Sequence, residues 1–328
     1  MESYAHIKPY LQQVETAMES DLAKEDPRVY GMLIPFIKRG GKRIRPILAF
    51  LSCGATGGKY ESVVDLAAVI ELFHNFTLVH DDIEDNSQFR RGEPALHITH
   101  GIPMALNSGD ALYTLLWKKL VHLRMPPKNV LELQFLCADA FKRVVDGQGI
   151  ELEWIGKGRF DVSAGEYFDM IGGKTAALMG LSCEAGAFAA GADLHQRHIL
   201  RDFGEKIGIA FQIQDDVLNV SGDFESYQKE IGGDISEGKR TLMVVHCLKT
   251  AEKKDRKRLV SILSSHSRKK EDVDAAIALL KNYGSVDHAR RSAESLVAEA
   301  KALLASLPAS KDKDALLGIA DYVIRREK

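Results

Sequence analysis

The sequence predicts an all-α protein in one domain spanning residues 1–328. Three observations predict it. Apolar residues recur at three- and four-residue steps over most of the chain, strand-type alternation is hard to find, and only nine prolines occur, gathered at plausible helix boundaries such as Ile102-Pro103 and Met125-Pro126-Pro127. No linker rich in Gly, Ser or Pro divides the chain, and no repeat of solenoid length is evident. At about 11–12 residues per helix the chain holds roughly ten or more of them.

Composition narrows the function classes. Hydrophobic residues make up 45%, enough for a buried core, and 44 basic against 46 acidic residues leave a net charge of -2. That balance gives no reason to expect nucleic acid or a charged membrane as a partner, so concentrated charge must come from local clusters. Cys53, Cys137, Cys183 and Cys247 are widely spaced, match no zinc pattern and suit a reducing compartment. The N-terminal stretch shows no secretory pattern and no window is apolar enough to span a membrane, so a soluble, cytoplasmic protein is expected.

In chain order, Gly40-Gly41-Lys42-Arg43-Ile44-Arg45-Pro46 is a basic turn opened by glycine. Glycine lets backbone approach an anion, while Lys and Arg supply charge and forked donors. Tyr60 to Asp85 follows, with Val63, Ala67, Ile70, Phe73 or His74, and Thr77 or Leu78 on one helical stripe. It leads into LVHDDIEDNSQFRRG, residues 78–92, where Asp81 and Asp85 share one helix face and Asp82 is turned aside. Further stripes run through Val130–Ile150, Thr175–Ala192, Gln196–Val220, Asp272–Tyr283 and Arg290–Leu307. Glycine pairs at 57–58, 172–173 and 232–233 mark loops, with Lys174-Thr175 after the second and Lys229 and Lys239 bracketing the third. The basic segment Lys249–Arg258 reads as a solvated helix end.

Carboxylates packed as closely as Asp81, Asp82 and Asp85 repel one another, so something positive must offset them. Magnesium suits an all-oxygen set and is held by one or two carboxylates plus substrate phosphates. A second pair, Asp215-Asp216, lies within FQIQDDVLN, residues 211–219. Two helices ending in carboxylates can face each other across a cavity and hold several metals around one diphosphate. The scattered basic groups add a second anionic substrate, bound through Lys, Arg and His alone. A His80-Asp81 doublet could instead belong to a metal-dependent phosphohydrolase, but that leaves Arg90-Arg91, GGKRIRP and the second acidic pair unexplained.

With these motifs in this order, the chain resembles the trans-isoprenyl diphosphate synthases, the farnesyl and geranylgeranyl diphosphate synthase group, from about Gly40 to Lys239. GGKRIRP (40–46), DDIED (81–85) with Arg90-Arg91, GGKTA (172–176), and FQIQDDVLN (211–219) with GGDISEGKRTL (232–242) carry the likeness. The resemblance implies a single large helical bundle around a deep central cavity and a homodimer. It implies Asp81, Asp85 and Asp215 as ligands of three Mg2+ ions, with Mn2+ as a substitute, and Asp82 and Asp216 in support. Arg90, Lys174, Thr175, Gln212, Lys229 and Lys239 would hold the allylic diphosphate, and Lys42, Arg45, His74 and Arg91 the isopentenyl diphosphate. Asn219 stands where the family often has a third aspartate.

The implied reaction ionises an allylic diphosphate, adds isopentenyl diphosphate to the carbocation and releases diphosphate, with no covalent enzyme intermediate. Helix rise puts Phe76 about 7.5 Å and Phe73 about 12 Å below Asp81. In the family the positions of Phe76 and Thr77 set the cavity floor, and this pair resembles the archaeal geranylgeranyl-forming type. Farnesyl or longer products are the alternatives, as is a class I terpene cyclase, which would not need Lys42, Arg45 and Arg91. A regulatory subunit of a heteromeric synthase could lose carboxylates that survive here.

Overall fold

A computed structural model describes residues 4–221 and 232–326. The described residues are helical throughout, apart from turns and one two-stranded ribbon, Phe89–Arg90 paired antiparallel with Glu93–Pro94. The all-α expectation therefore holds. No helix among them is long and apolar enough to cross a membrane. The chain forms two compact units.

The first unit comprises Met1–Phe141, Gly180–Arg201 and Ala305–Leu316. Its centre is the helix Val64–Glu84, which starts later than its stripe suggests because Tyr60–Ser62 closes a 3-10 turn. Leu66 through Phe73 of this helix are buried without a break. A helix apolar on all sides belongs inside a protein. It packs along the helix Ile102–Val121 and against the helices Lys8–Ala23 and Ile44–Ala55. Its last turns emerge from this wrapping, which places the first acidic run at the edge of the core.

The second unit comprises Lys142–Met179, Asp202–Leu304 and Leu317–Lys328. The helix Ala164–Ile171 begins with a reciprocal cap in which Ser163 and Glu166 satisfy each other's backbone amides. The helices Leu242–Thr250, Lys270–Asn282 and Ser285–Leu303 pack together, with apolar residues inward. Most of Lys249–Arg258 is exposed to water, as its charge suggested.

Gly172-Gly173 does not open a loop. Residues Gly172–Ala176 form a π-helical turn leading directly into the helix Ala177–Ala189. A Cβ on Gly173 would lie 2.5 Å from the Arg143 carbonyl oxygen, and one on Gly147 would lie 2.3 Å from the Lys174 amide nitrogen. The glycines serve backbone contact between two helical segments. The wider π turn, a feature frequent at functional sites, then sets the direction of Lys174 and Thr175.

Candidate active site

In the first unit, the helix Val64–Glu84 ends on Asp81, Asp82 and Glu84, with Asp85 as C-cap and no basic residue in the last turn. A helix C-terminus carries partial negative charge, so these acids are opposed by the helix as well as by one another. Asp82 is buried, and its Oδ1 accepts from Arg90 Nε at 2.8 Å and from Arg90 Nη2. Burial pushes the Asp82 carboxyl up, with Arg90 opposing. Its Oδ2 is buried with no hydrogen-bond partner among the described residues. Burial works against the Arg90 charge too, but Asp82, Asp81 and Asp85 outweigh it and hold the guanidinium above its ordinary value.

Arg90 is delivered by the ribbon. Its two turn residues, Arg91 (φ 55°) and Gly92 (φ 79°), both have positive φ, the requirement of a type I′ turn. Holding a non-glycine residue there costs about 1–2 kcal/mol. Strain of this kind gathers at ligand sites. Arg39 Nη1 braces the ribbon with a 2.9 Å bond to the Pro94 carbonyl.

The basic turn lies beside Arg91. Gly41 has φ 141°, and an added Cβ there would lie 3.1 Å from Arg91 Nη2, so the glycine makes room for the arginine. Arg43 caps the helix Ile44–Ala55 in the left-handed conformation, φ 48°. Its buried guanidinium is spent on the fold: Nε donates to Glu15 Oε1 at 3.0 Å, Nη1 to Glu71 Oε1 at 2.8 Å and Nη2 to the Ile37 carbonyl at 2.9 Å. Its neighbours are placed differently. Lys42 is exposed, and Arg45 Nε, like Arg91 Nη1, is buried with no hydrogen-bond partner among the described residues.

Burial lowers Arg45, with Glu71 and Asp81 opposing. Burial and then Arg43 lower Arg91 to about 10, with Glu71 opposing, so it remains charged at neutral pH. Burial, then Arg45, Arg91, Arg90 and Arg43, push the His74 imidazole well below its ordinary value, so it is neutral there. The structure thus gathers Arg45, His74 and Arg91, three of the four residues expected at a metal-free diphosphate site, with excess positive charge and unfilled donors. Lys42 lies on the same turn.

Below Asp81 the helix carries an aromatic group. Phe76 packs against His80 at 4.6 Å between centroids, Tyr113 at 5.2 Å and Phe73 at 5.5 Å. Phe73 stacks flat on Phe141 at 3.7 Å, and Trp117 closes the group against Tyr113 and Phe141. Thr77 Oγ1 donates to the His74 carbonyl at 2.8 Å. Sequence reasoning named Phe73, Phe76 and Thr77 but missed Tyr113, Trp117 and Phe141, which come from other helices.

The second unit gathers another set. Lys174 Nζ pairs with Glu151, which Lys174 and Lys239 hold below its ordinary value despite burial. Thr175 Oγ1 donates to Gln212 Oε1 at 3.3 Å, Gln212 Nε2 to Asp216 Oδ1 at 2.8 Å, and the Tyr167 hydroxyl to Asp216 Oδ2 at 3.3 Å. Burial, then Asp234 and Asp215, push the Asp216 carboxyl well above its ordinary value. Lys239 Nζ lies 2.5 Å from Glu237 Oε2 and 3.6 Å from Asp234 Oδ1. Asn219 Oδ1 accepts from the Asp234 amide at 3.2 Å, fixing the turn that carries that acid. Asp215 Oδ1 lies 2.9 Å from Arg326 Nη2, a pairing with no signal in the sequence. Lys229 lies outside the described residues.

The donor chemistry fits a hard divalent cation: carboxylate oxygens, one with its affinity for a proton raised by burial and then by its acidic neighbours. Among the described residues no three His, Cys, Asp or Glu side chains form a ready metal cage. Magnesium takes one or two carboxylates and completes its shell with water and phosphate.

The comparisons with known proteins agree with this chemistry. A family model described as polyprenyl synthetase matches residues 26–280. A short chain isoprenyl diphosphate synthase of Methanothermobacter thermautotrophicus is 42% identical, over 89% of this chain and 88% of that protein. The solved geranylgeranyl pyrophosphate synthetase of Pyrococcus horikoshii superposes with a TM-score of 0.93 at 34% identity, over 99% of this chain and 98% of that one. A polyprenyl synthase of Caulobacter crescentus, solved with calcium and isoprenyl diphosphate, gives 0.91 at 28% identity, over 99% and 97%. With its ordered motifs and all-helical fold, the chain belongs to the polyprenyl synthetase family.

Proposed function

We propose that this protein is a prenyltransferase that condenses isopentenyl diphosphate with an allylic diphosphate (dimethylallyl, geranyl or farnesyl), with geranylgeranyl diphosphate as its main product. The observation that carries the proposal is the cationic site at Arg45, His74 and Arg91. It offers unfilled donors to an anion without any metal, which a terpene cyclase acting on one diphosphate does not need. Family membership supports the reaction class, and the Pyrococcus protein's name supports the product length. The family span of residues 26–280 draws on both compact units, which supports one functional domain.

Asp81, Asp85 and Asp215 are the proposed magnesium ligands, with Asp82 supported by Arg90 and Asp216 by Gln212 and Tyr167. When bound, the metal supplies charge to neutralise the diphosphate as it leaves carbon. The remaining work belongs to the chain. Arg90, Lys174, Thr175, Gln212, Lys229 and Lys239 hold the allylic diphosphate. Lys42, Arg45, neutral His74 and Arg91 hold isopentenyl diphosphate with its double bond free to attack. The apolar helix below Asp81 keeps water from the cation.

Two further expectations accompany the reaction. Four buried, free cysteines support work in the reducing cytoplasm. Exposed Ile98, Ile102, Leu106, Leu131 and Phe135 support a homodimer.

The deciding experiment incubates the enzyme with labelled isopentenyl diphosphate, each allylic primer and magnesium, then sizes the products. Elongation that requires isopentenyl diphosphate supports the proposal; product formed from the allylic diphosphate alone points to a cyclase. The same assay tests the floor. Phe76→Ala removes the ring lying over Phe73 and Tyr113, so the product is expected to lengthen by at least one five-carbon unit. An unchanged profile would remove Phe76 from that role.

A further inference from the structure

We propose that Arg326 is an internal cation that holds Asp215 while the site is empty and competes there with the divalent metal. The inference rests on the proposed role of Asp215 as a metal ligand and goes beyond it.

The geometry is built, not incidental. Phe211, Gln214 and Asp215 lie at positions i, i+3 and i+4 of the helix Leu194–Ser221, hence on one face. Arg326 engages all three. Its guanidinium carbon sits 3.8 Å from the Phe211 ring centroid, Nη2 donates to the Phe211 carbonyl at 2.7 Å, and Gln214 Nε2 donates to the Arg326 carbonyl at 3.4 Å. The Arg326 amide still donates to the Tyr322 carbonyl at 3.0 Å, so the residue continues the hydrogen bonding of the helix Lys311–Arg325. The Arg326 side chain is 1% exposed, whereas that of Asp215 is 22% exposed.

This asymmetry gives the contact its meaning. A half-buried Asp215 can still be reached by water and does not need a buried arginine for its own sake. The arginine has been brought under cover to a carboxylate that keeps an open side. Arg326 Nε is also buried without a hydrogen-bond partner among the described residues. An unfilled buried donor is costly, so this packing is maintained against a penalty. A guanidinium bound to one carboxylate oxygen satisfies part of the charge that a metal would otherwise satisfy. Metal arriving at Asp215 must therefore displace or share that bond. Asp216, the next residue, turns instead to Gln212 and Tyr167. The two acids of the pair are thus held by different partners, and only Asp215 answers to Arg326.

The test titrates the full chain with Mn2+ and follows free Mn2+ by its paramagnetic resonance signal, alone and with inorganic pyrophosphate present. Arg326→Gln is expected to tighten one class of Mn2+ site about 10-fold, the factor that about 1.4 kcal/mol of competition imposes. Arg326→Lys keeps the charge without the fork and is expected to give a smaller tightening, which covers the case of a poorly folded glutamine variant. Asp215→Asn is expected to lose the same class of site in either background. Unchanged or weaker Mn2+ binding in both Arg326 variants, with the site still lost in Asp215→Asn, overturns the inference and leaves Asp215 as a ligand. No loss in Asp215→Asn overturns the ligand assignment itself.

Discussion

Asp81→Asn is expected to lower kcat/KM by roughly 1,000-fold, about 4 kcal/mol of transition-state stabilisation, without lowering the melting temperature. Asp81 occupies the last turn of Val64–Glu84, beside Asp82, Glu84 and Asp85. The helix C-terminus disfavours negative charge in this turn by about 0.3–1 kcal/mol for a surface charge, while Arg90 offsets it at Asp82. Neutralising one should leave the fold as stable or slightly more so. On the proposed ligand role of Asp81 the chemistry responds in the opposite direction, because an amide would be a poor ligand for a magnesium ion that offsets charge growing on the leaving group. The pairing of the two readouts makes the test sharp. Steady-state rates with labelled isopentenyl diphosphate and a thermal melt should move in opposite directions or the melt not at all. A rate within 10-fold of the parent would remove Asp81 from the ligand set. A large fall in both would mean that Asp81 supports the fold.

The sequence carries the helices and the acidic runs because both are local. A stripe at three- and four-residue steps needs only a short window, and Asp81 with Asp85 declare a shared face by spacing alone. What the sequence hides is distant partnership. GGKRIRP announces a basic turn but not which cation belongs to the fold. The structure divides the labour, with Arg43 sealed against Glu71, Glu15 and Ile37, and Arg45 left with an Nε donor that has no partner among the described residues. Glu71 did leave a trace, a lone acid inside Val69-Ile70-Glu71-Leu72-Phe73, where a charge survives only with a partner. Arg326 left none, since nothing near it in the chain calls for a carboxylate. Gly172-Gly173 misled because a glycine pair signals a loop by composition, while here it lies in a π-helical turn and Gly173 serves helix contact.

The buried pair of Arg43 and Glu71 is where the fold and the proposed anion site meet, and breaking it is expected to have the largest effect on stability. Both side chains are nearly inaccessible, at 6% and 3% exposure, with 2.8 Å between Nη1 and Oε1. Arg43→Met leaves the Glu71 charge buried and unpaired, so the chain should lose roughly 3–5 kcal/mol of stability in a denaturant titration. Glu15 adds little to that loss, because its side chain is 41% exposed and can return to water. The double variant Arg43→Met/Glu71→Leu removes both charges and is expected to recover most of the stability, since an apolar pair of similar volume commonly replaces a buried ion pair at little cost. Catalysis should not recover with it. Arg43 fixes the turn that carries Lys42 and leads to Arg45, and Glu71 opposes the lowering of Arg45 and Arg91. Without the pair the turn loses its anchor, so KM for isopentenyl diphosphate should stay elevated by about 10-fold or more, the cost of one or two charged hydrogen bonds. Recovery of both stability and KM in the double variant would show that the pair serves the fold alone. Recovery of stability without KM would show that the fold places its anion site through this ion pair.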